Sequence, residues 1–514
     1  MIHRSPYPDP KIPALTLDAY VLEHAARFGS RTALVDGSTG DRTTYAQLAR
    51  TIELGAGALA AEGVRTGDVV ALVGANAPAW AAAFHAILAA GGVVLPLNPT
   101  FTAEEISRWL EITGAKIVVA SDAARDESIS ACRIARRQDV ITLDPAMRQG
   151  PFNELTAAGG TPLVARDPAR TVAVIAYSSG TSGLPKGVML THRNLVANIE
   201  QHQGLQVLGP GDVSCASIPF YHAYGMTILL NAALRAGAAV VTLPGRFDLD
   251  RYLGAVERYR VTRLHLVPPM VYALAACPTL DARNLSSVRL AMSGAAPLDA
   301  AAALSLAKRG GFPVVQGYGM TEASPGTHFV PDDRASTLPA GSVGVLVPGT
   351  EARLVSPETG ADSSGEGELL IRGPQVMAGY LNAPDDTAKA LTDGWLRTGD
   401  VLRVDANGAF FVVDRVKELI KFRGYAIAPA ELEGLLGTHP NVADAAVIGL
   451  PQKADGEVPV GFVVPRGELD PGALLTWVAE RVAPYKKLRD IRLVTEIPRS
   501  PAGKILRRVL RDRG

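Results

Sequence analysis

From Asp68 the chain reads "DVVALVGANAPAWAAAFHAILAAGGVVLPLNPT", an unbroken apolar run, a turn, an alanine-rich stretch, a glycine pair and a second apolar run. Short continuous apolar runs bounded by Gly, Asn or Pro predict strands buried on both faces, and the longer small-residue stretch predicts a packed helix. In "FTAEEISRWLEITGAKIVVA" Thr102 and Glu105 have the spacing of a capping box, which predicts an amphipathic helix followed by the strand "KIVVA". The style continues through "AAVVTLP", "TRLHLVPP" and "VRLAMSG", each a β-branched or apolar run ending at Gly or Pro. Alternating strands and helices predict layered α/β sheets with parallel strands, and ligands in such sheets bind beyond the strands' carboxyl ends. Between Gly341 and Gly379 the texture changes to turn-bounded alternating segments, which predict an antiparallel, barrel-like all-β piece. A further change of charge pattern makes Asp414 to Lys417 the expected domain junction, dividing 1–413 from 418–514.

Composition narrows the function classes. A chain of 514 residues exceeds one ordinary core, and 47% hydrophobic with 20% charged residues suits a globular protein. Lys plus Arg (51) equal Asp plus Glu (51), so overall charge offers no case for nucleic acid or a membrane surface. The exception is local: from Tyr485 to Gly514 there are ten Lys/Arg against three Asp/Glu, a solvated helical end or a module bringing positive charge to a polyphosphate. Three scattered cysteines lack metal-ligand spacing. With no signal-peptide layout and no apolar run of about 20 residues, a soluble cytoplasmic protein is expected.

The chemistry is concentrated in "YSSGTSGLPKGVM", from Tyr177 to Met189. Hydroxyls interleaved with glycine can converge N–H and O–H groups on phosphate oxygens. It is not a Walker loop, because Pro185 precedes Lys186 and Gly187 follows it, where that pattern wants Gly and then Ser or Thr. Three more motifs follow in order: "GYGMTE" (317 to 322), "RTGD" (397 to 400) and "SPAGKILRR" (500 to 508). Each has a bland reading of its own: a polar hairpin loop, a turn with a surface glutamate, a surface ion pair, a lysine in a basic tail.

Together with "DRVKELIKFRGY" (414 to 425), the four motifs resemble the adenylate-forming superfamily of acyl-CoA synthetases, luciferases and peptide-synthetase adenylation domains, over nearly the whole chain. "PFYHAYGM", "SGAAPLD" and "VDRVKELIKFRGY" with "APAELE" are most similar to 4-coumarate:CoA ligases and related aryl or fatty acyl-CoA ligases. The resemblance implies an ATP-dependent carboxylate:CoA ligase, with a large N-terminal domain and a small mobile α+β C-terminal lid. It further implies ATP, CoA and Mg2+ as cofactors, a cinnamate-type aryl acid as substrate, no nucleic-acid or membrane partner, and a monomer or weak homodimer.

Residue by residue, the resemblance gives Ser178, Ser179, Gly180, Thr181, Ser182 and Lys186 to the phosphates, and Ala295, Gln316, Gly317 and Tyr318 to the nucleotide base. Thr321 meets the α-phosphate and Glu322 offers a hard carboxylate to magnesium. Asp400 accepts both ribose hydroxyls with Arg415 beside it, and Lys421 completes the nucleotide set. Lys504 is the implied catalytic lysine, neutralising charge that grows as a carboxylate attacks the α-phosphorus. His222 borders the acyl carboxylate; Tyr224, Met292, Ala295, Gly317, Pro325 and Gly326 form the acyl pocket, the small residues leaving room for a planar ring and the Tyr224 phenol free for a ring substituent. Arg246, Arg423 and Gly424 serve CoA, and Lys417 is the pivot on which the lid exchanges faces.

Two positions depart from the plant-type pattern: Ala426 stands where glutamine is usual, and Gly326 where valine is usual, which relaxes the expected pocket. Arg423 replaces the usual lysine, keeping charge with altered geometry. The competing activities are a medium- or long-chain fatty acyl-CoA synthetase, amino-acid adenylation, a luciferase-like oxygenase, and an inactive scaffold relative. "SIPFYHAYGMTILL" holds no carboxylate for a substrate ammonium, which argues against amino-acid adenylation.

Overall fold

The computed structural model describes residues 1–136, 140–143, 166–178, 186–416, 418–422, 425–452, 456–482, 486–499 and 505–512. Two α/β sheets form the bulk of the chain. In the larger, Val314–Gly319, Leu290–Ser293, Arg263–Leu266, Val213–Ala216, Ala239–Thr242 and Thr32–Asp36 lie side by side in parallel. In the second, Val172–Ser178, Val93–Leu97, Val69–Val73, Ile117–Ser121 and Val140–Leu143 are the parallel core, with Lys186–Thr191 and Gly379–Tyr380 added antiparallel at one edge. The runs singled out by their hydrophobic pattern are these strands.

The alanine-rich segment is the helix Pro78–Ala89, and its residues from Pro78 to Leu88 are all buried. Small side chains let it sit in one apolar cluster that draws Leu34 and Val240 from the first sheet and Val70, Val94 and Val174 from the second. The capping box is formed: the Thr102 hydroxyl accepts from the Glu105 N–H, and the Glu105 carboxylate accepts from the Thr102 N–H at 2.9 Å. Gly114, at φ 65°, ends that helix in the left-handed conformation that glycine adopts without a Cβ clash.

The all-β piece is larger than the interval from Gly341 to Gly379. Its antiparallel sheet joins Glu351–Val355, Glu366–Arg372, Trp395–Val404 and Phe410–Arg415, and recruits His3–Arg4 from the start of the chain. Glu366–Arg372 finds its second partner only after the intervening helix Pro384–Ala390, and that helix hid the continuation in the sequence. From residue 420 onward a smaller sheet carries Ile420–Phe422, Tyr425–Ile427, Val442–Gln452, Gly456–Pro465 and Asp490–Leu493, covered by the helices Pro429–Gly437 and Pro471–Ala479. Its apolar cluster, from Ile420 to Leu510, takes no member from earlier in the described chain. Among the described residues no helix is long and apolar enough to cross a membrane.

Candidate active site

The serine- and glycine-rich stretch is the loop of a hairpin. Ser178 and Lys186 are register partners across the strands Val172–Ser178 and Lys186–Thr191, so the loop's two ends are fixed. Ser179, Gly180, Thr181 and Ser182 lie outside the described residues. At its start the Ser178 hydroxyl is buried with no hydrogen-bond partner among the described residues. A buried hydroxyl left without a partner is costly, and a ligand oxygen would satisfy it. At its end the Lys186 ammonium pairs with Asp386 at 2.9 Å and lies 5.0 Å from the centroid of the Tyr380 ring.

The turn Thr321–Ala323, which follows the strand Val314–Gly319 of the first sheet, packs against both strands of this hairpin. Leu290–Ser293 ends in Ser293, whose buried hydroxyl is a second orphan. The chain then turns through Gly294 and Ala295, the latter at φ 70°, a left-handed conformation that costs an alanine roughly 1–2 kcal/mol. Gln316 accepts from the Leu298 N–H and donates to the Leu298 carbonyl, both at 3.2 Å. Both ends of its amide thus brace the 294–298 turn, with one N–H and one lone pair still unused by these bonds.

Tyr318, on Val314–Gly319, donates its hydroxyl to Asp400 Oδ2 at 2.6 Å, and Arg415 Nε lies 2.9 Å from Asp400 Oδ1. Asp400 and Arg415 are register partners on adjoining strands, so the pairing is built into the all-β sheet. Burial, then the neighbouring Asp400 carboxylate, raise the Tyr318 phenol well above its ordinary range, so it remains a donor. For Arg415 burial, the largest effect, would lower the pKa, but Asp400, Glu418 and Tyr318 together outweigh it and the shift is upward. Each carboxylate oxygen has used one acceptor site of about two, which leaves Asp400 able to accept a pair of hydroxyls.

Thr321 and Glu322 form a tight turn, Thr321–Ala323, directly after Val314–Gly319. Glu322 is buried, and its Oε1 accepts the Tyr380 hydroxyl at 3.0 Å. No group of three or more His, Cys, Asp or Glu side chains among the described residues could hold a metal ion unaided. A single carboxylate suits magnesium that arrives with a polyphosphate, since this ion keeps several waters and commonly takes one or two protein carboxylates. The residues present therefore fit a nucleotide with its cation.

The acyl-pocket residues give the largest correction. Tyr224 donates its hydroxyl to the Met292 carbonyl at 3.1 Å, which engages the phenol proton with backbone and leaves the oxygen to accept. A Cβ at Gly317 would come within 2.9 Å of the Phe329 ring, and one at Gly326 within 2.3 Å of it. The space expected for a planar ring beside these glycines is filled by Phe329, so Gly326 does not widen the pocket there. Asn198, fully buried, holds Gly326 on both sides, donating to its carbonyl at 2.8 Å and accepting from its N–H at 3.0 Å. Pro325 stands next to this clamp.

His222 packs its ring against Tyr221 and Tyr177, with centroids 4.7 and 5.9 Å away. It leads into Tyr224–Asn231, a wide π-helix, a rare conformation often found at functional sites. Gly225 allows this turn, because a Cβ there would lie 2.1 Å from the Pro219 carbonyl oxygen. Arg246 is exposed on the rim of a small cleft lined also by Ser217, Phe247 and Arg251. Lys421 sits on Ile420–Phe422, with its side chain outside the described set, as are Lys417, Arg423, Gly424 and Lys504.

Phe329, Asn198 and Tyr380 were not singled out from the sequence. Asn198 had a signal: in "HRNLVANIEQHQ" the amides Asn194, Asn198 and Gln201 recur at helical spacing, and all three are buried on the helix His192–Gln203. For Phe329 and Tyr380 there was none, since one aromatic in a short segment reads as core.

Residues 21–381 match the family model described as AMP-binding enzyme, and residues 431–504 match the model described as AMP-binding enzyme C-terminal domain. The chain is 40% identical over 545 residues to 4-coumarate--CoA ligase 2 of Oryza sativa subsp. japonica, covering 99% of this chain and 94% of that protein. It is 38% identical to 4-coumarate--CoA ligase of Pinus taeda, covering 100% of this chain and 97% of that one. Among solved structures it superposes on ATP-bound MatB from Rhodopseudomonas palustris with a TM-score of 0.88 at 30% identity, covering 97% of this chain and 99% of that one.

Proposed function

The chain belongs to the AMP-binding enzyme family and is an AMP-forming ligase; from that membership we propose that it joins a cinnamate-type aryl carboxylic acid to coenzyme A. The observation that carries the substrate class is the full-length likeness to 4-coumarate--CoA ligases. What supports the nucleotide chemistry is the set of Asp400, Tyr318 and Arg415, together with the buried hydroxyls of Ser178 and Ser293, which have no partner among the described residues.

In the proposed first step a carboxylate oxygen of the acid attacks the α-phosphorus of ATP, forming acyl-AMP and releasing pyrophosphate. Asp400 holds the ribose, oriented by Arg415 and Tyr318. Ser178, Lys186 and the intervening loop bind the β- and γ-phosphates, and Thr321 the α-phosphate. Magnesium, carried with the nucleotide and held by Glu322, would spread the phosphate charge. Lys504 stabilises the charge developing between the carboxylate and the α-phosphate. In the second step the CoA sulfur attacks the acyl carbonyl, AMP leaves, and the thiol proton is released. His222 borders this path, Arg246, Arg423 and Gly424 serve the CoA chain, and Lys417 is the pivot between the two steps.

The test is a thioester assay over cinnamate, 4-coumarate, ferulate, benzoate and medium-chain fatty acids. The expected outcome is kcat/KM at least ten-fold higher for an aryl-propenoate than for any aliphatic acid. A preference for aliphatic acids would overturn the substrate class and leave the ligation intact.

A further inference from the structure

The short strand Gly379–Tyr380 joins two parts of the site that are far apart in sequence. Tyr380 pairs in register with Val188, just past the serine-rich loop, and the Leu381 N–H donates to the Gly187 carbonyl at 2.8 Å. Two residues earlier than the strand, the Met377 N–H donates to the carbonyl of Glu322 at 2.9 Å. The Tyr380 N–H is held by the Thr387 hydroxyl at 2.9 Å. The backbone at 377–381 is therefore stitched at once to the hairpin that ends the phosphate loop and to the turn that bears the acidic residue.

The side chain makes the same connection. Its hydroxyl donates to Glu322 Oε1 at 3.0 Å, and the face of its ring carries the Lys186 ammonium at 5.0 Å, with Asp386 closing the group at 2.9 Å from that lysine. No described residue donates to Glu322 Oε2, so Tyr380 occupies one oxygen of the carboxylate and leaves the other for a cation.

We propose that Tyr380 is a positioning residue for the metal-nucleotide: it orients the Glu322 carboxylate toward the cation and, through its ring, sets the place of Lys186 at the end of the phosphate loop. The proposal rests on the reading of Glu322 as the carboxylate that meets the cation. Groups that orient a metal-binding carboxylate typically matter by 10–100-fold in metal affinity, and Tyr380→Phe removes the orienting hydroxyl while keeping the ring over Lys186.

The experiment titrates Mn2+ into the full-length protein with saturating ATP by electron paramagnetic resonance, and separately measures the Mg2+ dependence of ATP–pyrophosphate exchange. Tyr380→Phe is expected to weaken Mn2+ binding and raise the Mg2+ midpoint by about ten-fold, with KM for the acid unchanged and the far-UV spectrum of the parent. Glu322→Gln serves as the reference for the underlying reading. If Glu322→Gln leaves Mn2+ binding unchanged, Glu322 is not the metal carboxylate and the proposal falls with it. If Glu322→Gln weakens binding but Tyr380→Phe stays within two-fold of the parent, the reading of Glu322 stands and the role of Tyr380 is refuted. Equal loss of metal, acid and ATP affinity in Tyr380→Phe would mark a merely structural tyrosine and would also refute it.

Discussion

Gly326 shows how a single position can mean different things in the sequence and in the folded chain. Glycine where valine is expected reads as extra room in a pocket, but the neighbouring Phe329 ring has taken that room, 2.3 Å from where a Cβ would stand. Phe329 is buried against Val315, Met292 and Ile228, so it cannot swing away without disturbing the cluster. Asn198 fixes the Gly326 backbone by two hydrogen bonds, which blocks the alternative of moving the main chain. Gly326→Val should therefore destabilise the protein by about 1–3 kcal/mol, the usual cost of overpacking. Gly326→Val with Phe329→Leu should recover most of that loss, and the coupling can be read from a double-mutant cycle of denaturation midpoints. A valine tolerated alone, with no shift in midpoint, would mean that the ring at 329 is not held as described. The same residues explain a limit of sequence reasoning: a glycine's spacing says that room is needed, but not which neighbour uses it.

At the scale of elements, the last helix, Arg507–Asp512, seats Leu510 in the apolar cluster of the smaller sheet and is tied to its surroundings by the charge of Arg507. Arg507 pairs with Glu433 on Pro429–Gly437 at 3.0 Å and with Glu418 at 3.0 Å, while Asp414 accepts from the backbone N–H groups of Ala430 and Arg415 close by. Burial lifts Glu433 to about 7 and Asp414 to about 6, each against partial relief from Arg507 and backbone donors. Both carboxyls are raised above their unfolded values, so between pH about 4 and 7 the folded chain binds more protons than the unfolded one, and their contribution to stability falls as pH rises. Removing the arginine leaves charge uncompensated only where those carboxyls are ionised. Arg507→Ala should thus loosen the segment 430–463 modestly at pH 5 and by about 3 kcal/mol at pH 8, measured by hydrogen exchange at each pH. A loss independent of pH would exclude this charge balance. None of this was legible in "GKILRRVLRD", where a run of basic residues reads as a solvated end. Elements were legible where their signals are local: the capping box at Thr102, the buried alanine helix at Pro78–Ala89, the parallel strands ending in Gly or Pro. What escaped depends on long-range pairing, such as Glu366–Arg372 with Trp395–Val404, or on a backbone form with no sequence signature, such as the π-helix at Tyr224–Asn231.

The whole molecule divides its hydrophobic surface in a way that permits the two-step chemistry. The cluster running from Ile420 to Leu510 is closed within the C-terminal part, while the clusters that support the nucleotide-facing strands end before residue 414. A unit with its own core can change orientation without exposing much apolar surface, which keeps the difference between two orientations small. We propose that the change is absorbed just after the strand Phe410–Arg415, at the pivot Lys417, with 418–514 as the lid. Lys504 belongs to the lid, so its charge can be present in one step and absent in the other. A cation acting only on the charge that develops at the α-phosphate should be needed for adenylate formation alone. Lys504→Ala is accordingly expected to reduce ATP–pyrophosphate exchange by at least about 10²-fold, as removal of one stabilising donor does elsewhere. Thioester formation from supplied acyl-AMP should stay within a few-fold of the parent, because the sulfur then attacks the acyl carbon rather than phosphorus, and the lid has carried Lys504 away before AMP departs with the electron pair. Equal loss in both assays would mean that the lysine acts in a single orientation common to both steps, and that the separate core of the lid serves stability rather than motion.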